Sequence, residues 1–318
     1  MPLGGLRASV ALLCTLVLTG CVHTRGGGMD SRSVRKEQNR EVAVLTAHAT
    51  ASNLAAAALL VPPNDPTSRQ ALDLIERAET LAPRRPELVW LHLAICERLK
   101  CDAKAQIAAH LQALDPDNGF AWALDLEHVQ SSGARAVTAV IARIGAAPRM
   151  TVYWNQLEVM MVDALAVANP SQSLATRYLG AVGVLAAEAV PPLLPMYKAC
   201  RLAQLDLPGR RAACEAMVAR MEQSSTVLTQ NLAPSLQERW WPPGSPQREV
   251  ERAKLRRLDY LMTTSGRLRW WRINRDVALR IEAARRSNRE EDVELAVVKS
   301  LGLPLEPPVH WKDPLHSN

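Results

Sequence analysis

Three prolines and three tryptophans keep a common interval. Pro83, Pro116 and Pro148 stand 33 and 32 residues apart, and Trp90, Trp122 and Trp154 follow them at intervals of 32 and 32. A fixed period of this length indicates stacked helical hairpins, because one hairpin is too small to bury its own apolar face and buries it against the next. Each unit has the same grammar. An apolar helix closes at the proline, which lacks the N–H to continue it. A short polar turn follows, and the next helix carries a Trp near its start. The chain has eight Trp but only one Phe and four Tyr. A large ring spent at a regular interval is expected to fill the wedge between neighbouring hairpins. No run of alternating β-branched residues bounded by turns occurs, so the expected fold class is all-α.

The stretch ALDLIERAETLAP makes the repeat more specific. Ala71, Ile75, Ala78 and Pro83 fall where tetratricopeptide repeats place the second-helix Ala, a bulky residue, a second small residue and the closing Pro. Trp122 and Trp154 fall at that family's first-helix Trp. Asp125 and Leu126 depart from the family's Leu and Gly. The resemblance implies a tetratricopeptide-like α-solenoid of helical hairpins over residues 38–168, with a concave groove suited to peptides or helices. After Trp154 the period fades. A further helical region is expected over residues 169–302, basic from about residue 239, and then an extended tail, 303–318, carrying four prolines.

The N-terminus reads as a processing signal. Arg7 precedes the apolar run Ala8–Leu18, too short to span a bilayer as a mature helix. Leu18-Thr19-Gly20-Cys21 resembles the lipobox of bacterial lipoproteins. That resemblance implies cleavage after residue 20 and acylation of Cys21. Val22 at the next position implies sorting to the outer membrane, facing the periplasm. Acyl chains contribute about 0.8 kcal/mol per buried CH₂, so several of them on one cysteine would anchor the protein durably. Residues 21–37 are polar and Gly-rich and are expected to form a flexible tether, with a reach of roughly 20–25 Å.

Of six cysteines, Cys14 would leave with the signal and Cys21 would take lipid. Cys96, Cys101, Cys200 and Cys214 remain, an even number in an oxidising space. Cys96 and Cys101 bracket ERLK, an expected inter-helix turn. Cys200 and Cys214 lie either side of the breaker LDLPG. The expected pairs are Cys96–Cys101 and Cys200–Cys214, the latter stabilising by about 3 kcal/mol through loop closure.

Two clusters invite a chemical reading. His92, Cys96, Cys101 and His110 have spacings that suit zinc, but oxidised thiols are the stronger expectation, and no metal or other cofactor is expected. Asp125, Glu127 and His128 bring acid–base groups together, as ordinary polar helix faces also do, and nothing else in the chain completes a catalytic motif. Residues 239–289 hold fourteen Lys/Arg against five acids, more positive than the chain's net +6. Within this segment Trp270, Ile273, Val277, Ile281 and Ala284 form an apolar stripe. Arg267, Arg269, Arg272 and Arg275 around it are candidates for contact with anionic lipid or cell-wall polymer; nucleic acid is not expected. The sequence thus points to a non-catalytic, lipid-anchored repeat protein that binds an envelope protein or peptide. An envelope enzyme acting on cell wall or peptide is the alternative.

Overall fold

The period has a local cause, visible where two turns meet. The turn Asp115–Asn118 lies beside Arg149–Tyr153, and Asn118 ties them together. Its side-chain N–H₂ donates to Thr151 O at 2.9 Å and to the Tyr153 hydroxyl at 3.1 Å, while its Oδ1 accepts from Thr151 N at 3.0 Å. Gly119 N donates to Arg149 O at 2.8 Å. Asp115 accepts from the Tyr153 hydroxyl and pairs with Arg149. These two turns therefore stack through their backbones, and their buried polar groups are satisfied by each other. Burial, then the hydrogen bond to Asp115, raises the Tyr153 phenol well above its usual range.

This computed structural model describes residues 31–62, 68–188, 193–267 and 272–312. The fold is all-α, with no strand among the described residues. The helices are α1 Ser31–Ala47, α2 Ala51–Leu60, α3 Ser68–Leu81, α4 Pro86–Leu99, α5 Lys104–Leu114, α6 Gly119–Ala123, α7 Asp125–Val129 and α8 Ala134–Ala146. They continue with α9 Trp154–Ala168, α10 Leu174–Glu188, α11 Leu193–Ala199, α12 Arg210–Met221, α13 Val227–Gln237, α14 Pro246–Ser265, α15 Ile273–Arg286 and α16 Glu290–Ser300. Their starts obey capping chemistry. Thr50 accepts from Asn53 N at 3.2 Å, Asn118 from Phe120 N at 3.2 Å and Ser245 from Arg248 N at 3.4 Å. Pro86 and Pro246 open α4 and α14, where a missing N–H costs nothing. No described helix is long and apolar enough to cross a membrane.

Helices α1 to α5 pack each against the next, as a hairpin stack requires. Ala71, Ile75 and Ala78 are fully buried on α3. Beyond α5 the order changes. Helix α8 packs chiefly against α12, and Gly145 is why the two approach closely: a Cβ there would lie 2.7 Å from Met217 N. Helix α9 returns to α1 and α2, and also meets α10 and α15. Sequential stacking thus gives way to long-range closure, and one apolar core runs from Val42 to Ile281. Residues 31–37, expected in the tether, belong to α1. The tail from residue 303 lacks regular structure as far as it is described.

The tryptophans do not share one environment. Trp90 is buried, with its ring centroid 6.2 Å from both Phe120 and Tyr153. Trp122 and Trp154 are half-buried. The Trp122 indole donates to Pro116 O at 2.8 Å, and the Arg143 guanidinium lies 3.3 Å from its ring centre. Phe120 and Tyr153 fill the interior beside Trp90, while Trp122 and Trp154 pack against the core from its rim, so Trp122 is less buried than its spacing predicts. Pro83, Pro116 and Pro148 lie exposed in the turns.

Candidate functional site

Both expected cysteine pairs form. Cys96 joins Cys101 across the left-handed Lys100 (φ 55°), with Cα atoms 5.0 Å apart. Cys200, just after α11, joins Cys214 in α12 with Cα atoms 5.6 Å apart. The thiols are thus unavailable to zinc. His92 instead faces Glu79, Nδ1 to Oε1 at 2.8 Å, and His110 is exposed. No metal-holding group of three His, Cys, Asp or Glu exists among the described residues. Asp125 accepts from Gln112 at 2.9 Å, Glu127 pairs with Lys104 at 3.2 Å, and both Glu127 and His128 face outward. This is a solvated helix face. Cys21 and Arg269 lie outside the described residues.

The basic segment is largely paired by acids from elsewhere in the chain. Arg248 and Arg252 share Glu238, Lys254 meets Glu222, Arg257 meets Glu291 and Arg285 meets Asp163. Arg272 turns to Asp276 at 3.2 Å, whereas Arg267 and Arg275 are exposed. The stripe residues Val277, Ile281 and Ala284 are buried and Ile273 half-buried, so the stripe is core; Trp270 lies outside the described residues. Charge excess along the sequence therefore overstates the free positive surface in space.

Sequence reasoning missed the groups that matter most electrostatically. Arg280 is buried and holds both oxygens of Glu294, at 2.7 and 2.9 Å, and donates to Ser265 O at 2.7 Å. Around this fork lie Tyr178 on α10, Glu158 on α9 and Glu290 at the start of α16. Burial, with Glu290 and Glu294 adding to it, pushes the Glu158 carboxyl up to about 8, against the pull of Arg280 and the Trp154 indole. Burial and Glu294 raise Glu290 to about 7, although it accepts from Val227 N at 2.8 Å. Tyr178 is raised by burial and the nearby carboxylates. Such groups hold protons at neutral pH, as acid–base catalysts do. Here they are packed among helices, and the ion pair inside the cluster fixes how α15 and α16 meet. Arg210 was missed as well. It is buried at the start of α12 and donates to Ala199 O, Ala134 O and Thr138, joining α8, α11 and α12.

The surface feature with the shape of a binding site lies between α13, α14 and α16. A cleft of about 160 Å³ is lined by Glu222, Gln230, Pro234, Lys254, Arg257, Leu258 and Glu291. The buried Gln230 Oε1 on its wall takes no hydrogen bond among the described residues. Arg257 is shared with the neighbouring tail, donating to Glu291 at 2.7 Å and to Glu306 at 3.0 Å. The tail passes over α14. There Arg256 donates to Pro308 O, Val309 O and Trp311 O at 2.7, 2.8 and 3.1 Å. Tyr260 donates to Pro304 O at 2.8 Å, and Trp311 meets the Tyr260 ring edge-on, 5.5 Å between centroids.

Comparison with known protein families, characterised proteins and solved structures finds no match to this chain.

Proposed function

We propose that this protein is a non-catalytic scaffold, anchored by lipid on Cys21 to the outer membrane, whose helical body holds envelope proteins or peptides on the periplasmic side. The observation that carries the reading is the burial of its protonatable cluster. Glu158 and Glu294 are packed between helices, where no substrate reaches them, while the accessible polar surface between α13, α14 and α16 offers hydrogen-bonding groups without a poised nucleophile. The lipobox-like LTGC and the two disulfides support an oxidising, envelope location. Hairpin stacking over α1 to α5 supports protein binding by analogy with solenoid surfaces.

An envelope enzyme is the second reading, favoured by the raised Glu158 and Glu290 carboxyls alone. Two measurements test the scaffold. Cys21→Ser is expected to abolish acylation and release the protein from the membrane fraction; unchanged mass and fractionation would remove the anchor. Crosslinking in cells should capture the same proteins with wild type and with Glu158→Gln. Loss of a turnover product in the Glu158→Gln strain, with capture unchanged, would favour the enzyme.

A further inference from the structure

We infer that the α14–α16 face carrying Arg256, Arg257 and Tyr260 is a docking surface for a proline-rich peptide segment of a partner protein, and that residues 303–312 occupy it within the same chain as a stand-in ligand. This deepens the scaffold reading by giving it a surface, and rests on that reading for the partner being a protein. Most of the polar contacts reach main-chain carbonyls. Arg256 takes three of them and Tyr260 a fourth. A proline-rich segment is suited to this, because its prolines lack N–H donors of their own; here the tail bends at 305–306 and turns at 309–310, where Trp311 N also donates to Pro308 O at 2.8 Å. Two side chains add selectivity: Glu306 on Arg257, and Trp311 edge-on to Tyr260. The partner segment should therefore combine prolines with one carboxylate and one aromatic ring.

The present occupant is held by polar contacts and one ring. Leu303, Leu305 and Val309 are 37, 42 and 84% exposed, and Trp311 packs on the Tyr260, Leu261 and Val298 cluster. The tail's attachment to the same chain supplies an effective concentration on the order of millimolar, which helps it to mask the site. Arg257 also lines the adjoining cleft, so a longer ligand has room beyond the tail.

The test uses the full chain and a fluorescein-labelled peptide of residues 303–312, LPLEPPVHWK. Trp311→Ala combined with Glu306→Gln loosens the tail. Fluorescence anisotropy should then show the peptide binding at least tenfold more tightly than to wild type, whose own tail competes. Adding Arg256→Met, which keeps the aliphatic stem but removes the donors, should weaken binding to the loosened protein at least tenfold. Tyr260→Phe, which removes only the hydroxyl, gives a second variant should the first fail to fold by circular dichroism. Equal binding to the wild-type and loosened proteins would overturn the inference. So would dimerisation of the loosened protein by light scattering in place of peptide binding, which would make a second copy the occupant. Neither result would touch the Cys21 fractionation test.

Discussion

Glu158 lies one helical turn beyond Trp154 on α9, close to Arg280, Glu290 and Glu294, and its carboxyl is raised to about 8 from an ordinary 4.5. Tyr178 on α10 also faces the group, its own phenol raised by burial and by Glu158. The folded state therefore binds this proton more strongly than the unfolded chain does. Below about pH 4.5 both states are protonated and the contribution to stability is complete. Between about 4.5 and 8 the unfolded chain ionises first, and stability falls as pH rises. Glu290, raised to about 7, acts in the same direction over the lower part of that window. Glu158→Gln keeps the shape and removes the ionisation. Its melting temperature should decline less than that of wild type between pH 5 and pH 9 and should overtake it at the alkaline end. Superimposable pH profiles for the two proteins would show that Glu158 is not a buried acid.

At the scale of the helix pair, Trp90 and Trp122 hold matching places in the sequence spacing, 32 residues apart, and unequal places in the core. Trp90 is 4% exposed and touches Phe120 and Tyr153, whereas Trp122 lies half-buried under Arg143. Trp90→Ala should cost about 3–5 kcal/mol, through lost transfer energy and the cavity it leaves. Trp122→Ala should cost clearly less, since one face of its ring meets only a solvated guanidinium. Urea titrations of both variants decide this, and equal losses would mean that the two rings are packed alike. The contrast also marks what is legible in the chain. Helix boundaries follow from prolines, caps and apolar spacing, which act locally, so Ala71, Ile75 and Ala78 are buried as their pattern implies. Both disulfides follow from turns short enough to limit where the partner thiol lies. The Trp spacing did not tell which way each ring faces, because Phe120 and Tyr153 take the interior space beside Trp90. Arg280 and Arg210 were not legible. Their partners are distant in sequence or are backbone carbonyls, and neither leaves a local pattern.

For the whole molecule, the decisive contact is the return of α9 onto α1 and α2. A solenoid in which each repeat touches only its neighbours unfolds as a row of coupled units, and its ends come apart first. Here Glu41 and Arg40 on α1 reach Asn169 just beyond α9, Ser225 N reaches Met150 O at 2.9 Å, and Glu290 N reaches Ser225 O at 2.8 Å. These links tie α1, the middle turns and the start of α16 to the main apolar core, beside which Tyr260, Leu261 and Val298 form a smaller cluster between α14 and α16. Removing any one segment exposes apolar surface on segments far away in sequence, so partial unfolding gains little chain entropy for the burial it loses. With the disulfides intact, urea unfolding followed by far-ultraviolet circular dichroism and by tryptophan fluorescence should give coincident transitions. Fluorescence comes from eight Trp, of which Trp90 and Trp240 lie inside the core, and dichroism reports all helices, so the two signals weight the fold differently. Two separated midpoints, with the α1–α5 hairpins melting apart from the rest, would mean that the closure between α9 and α1 is too weak to join the halves and that the chain behaves as a row of repeats after all.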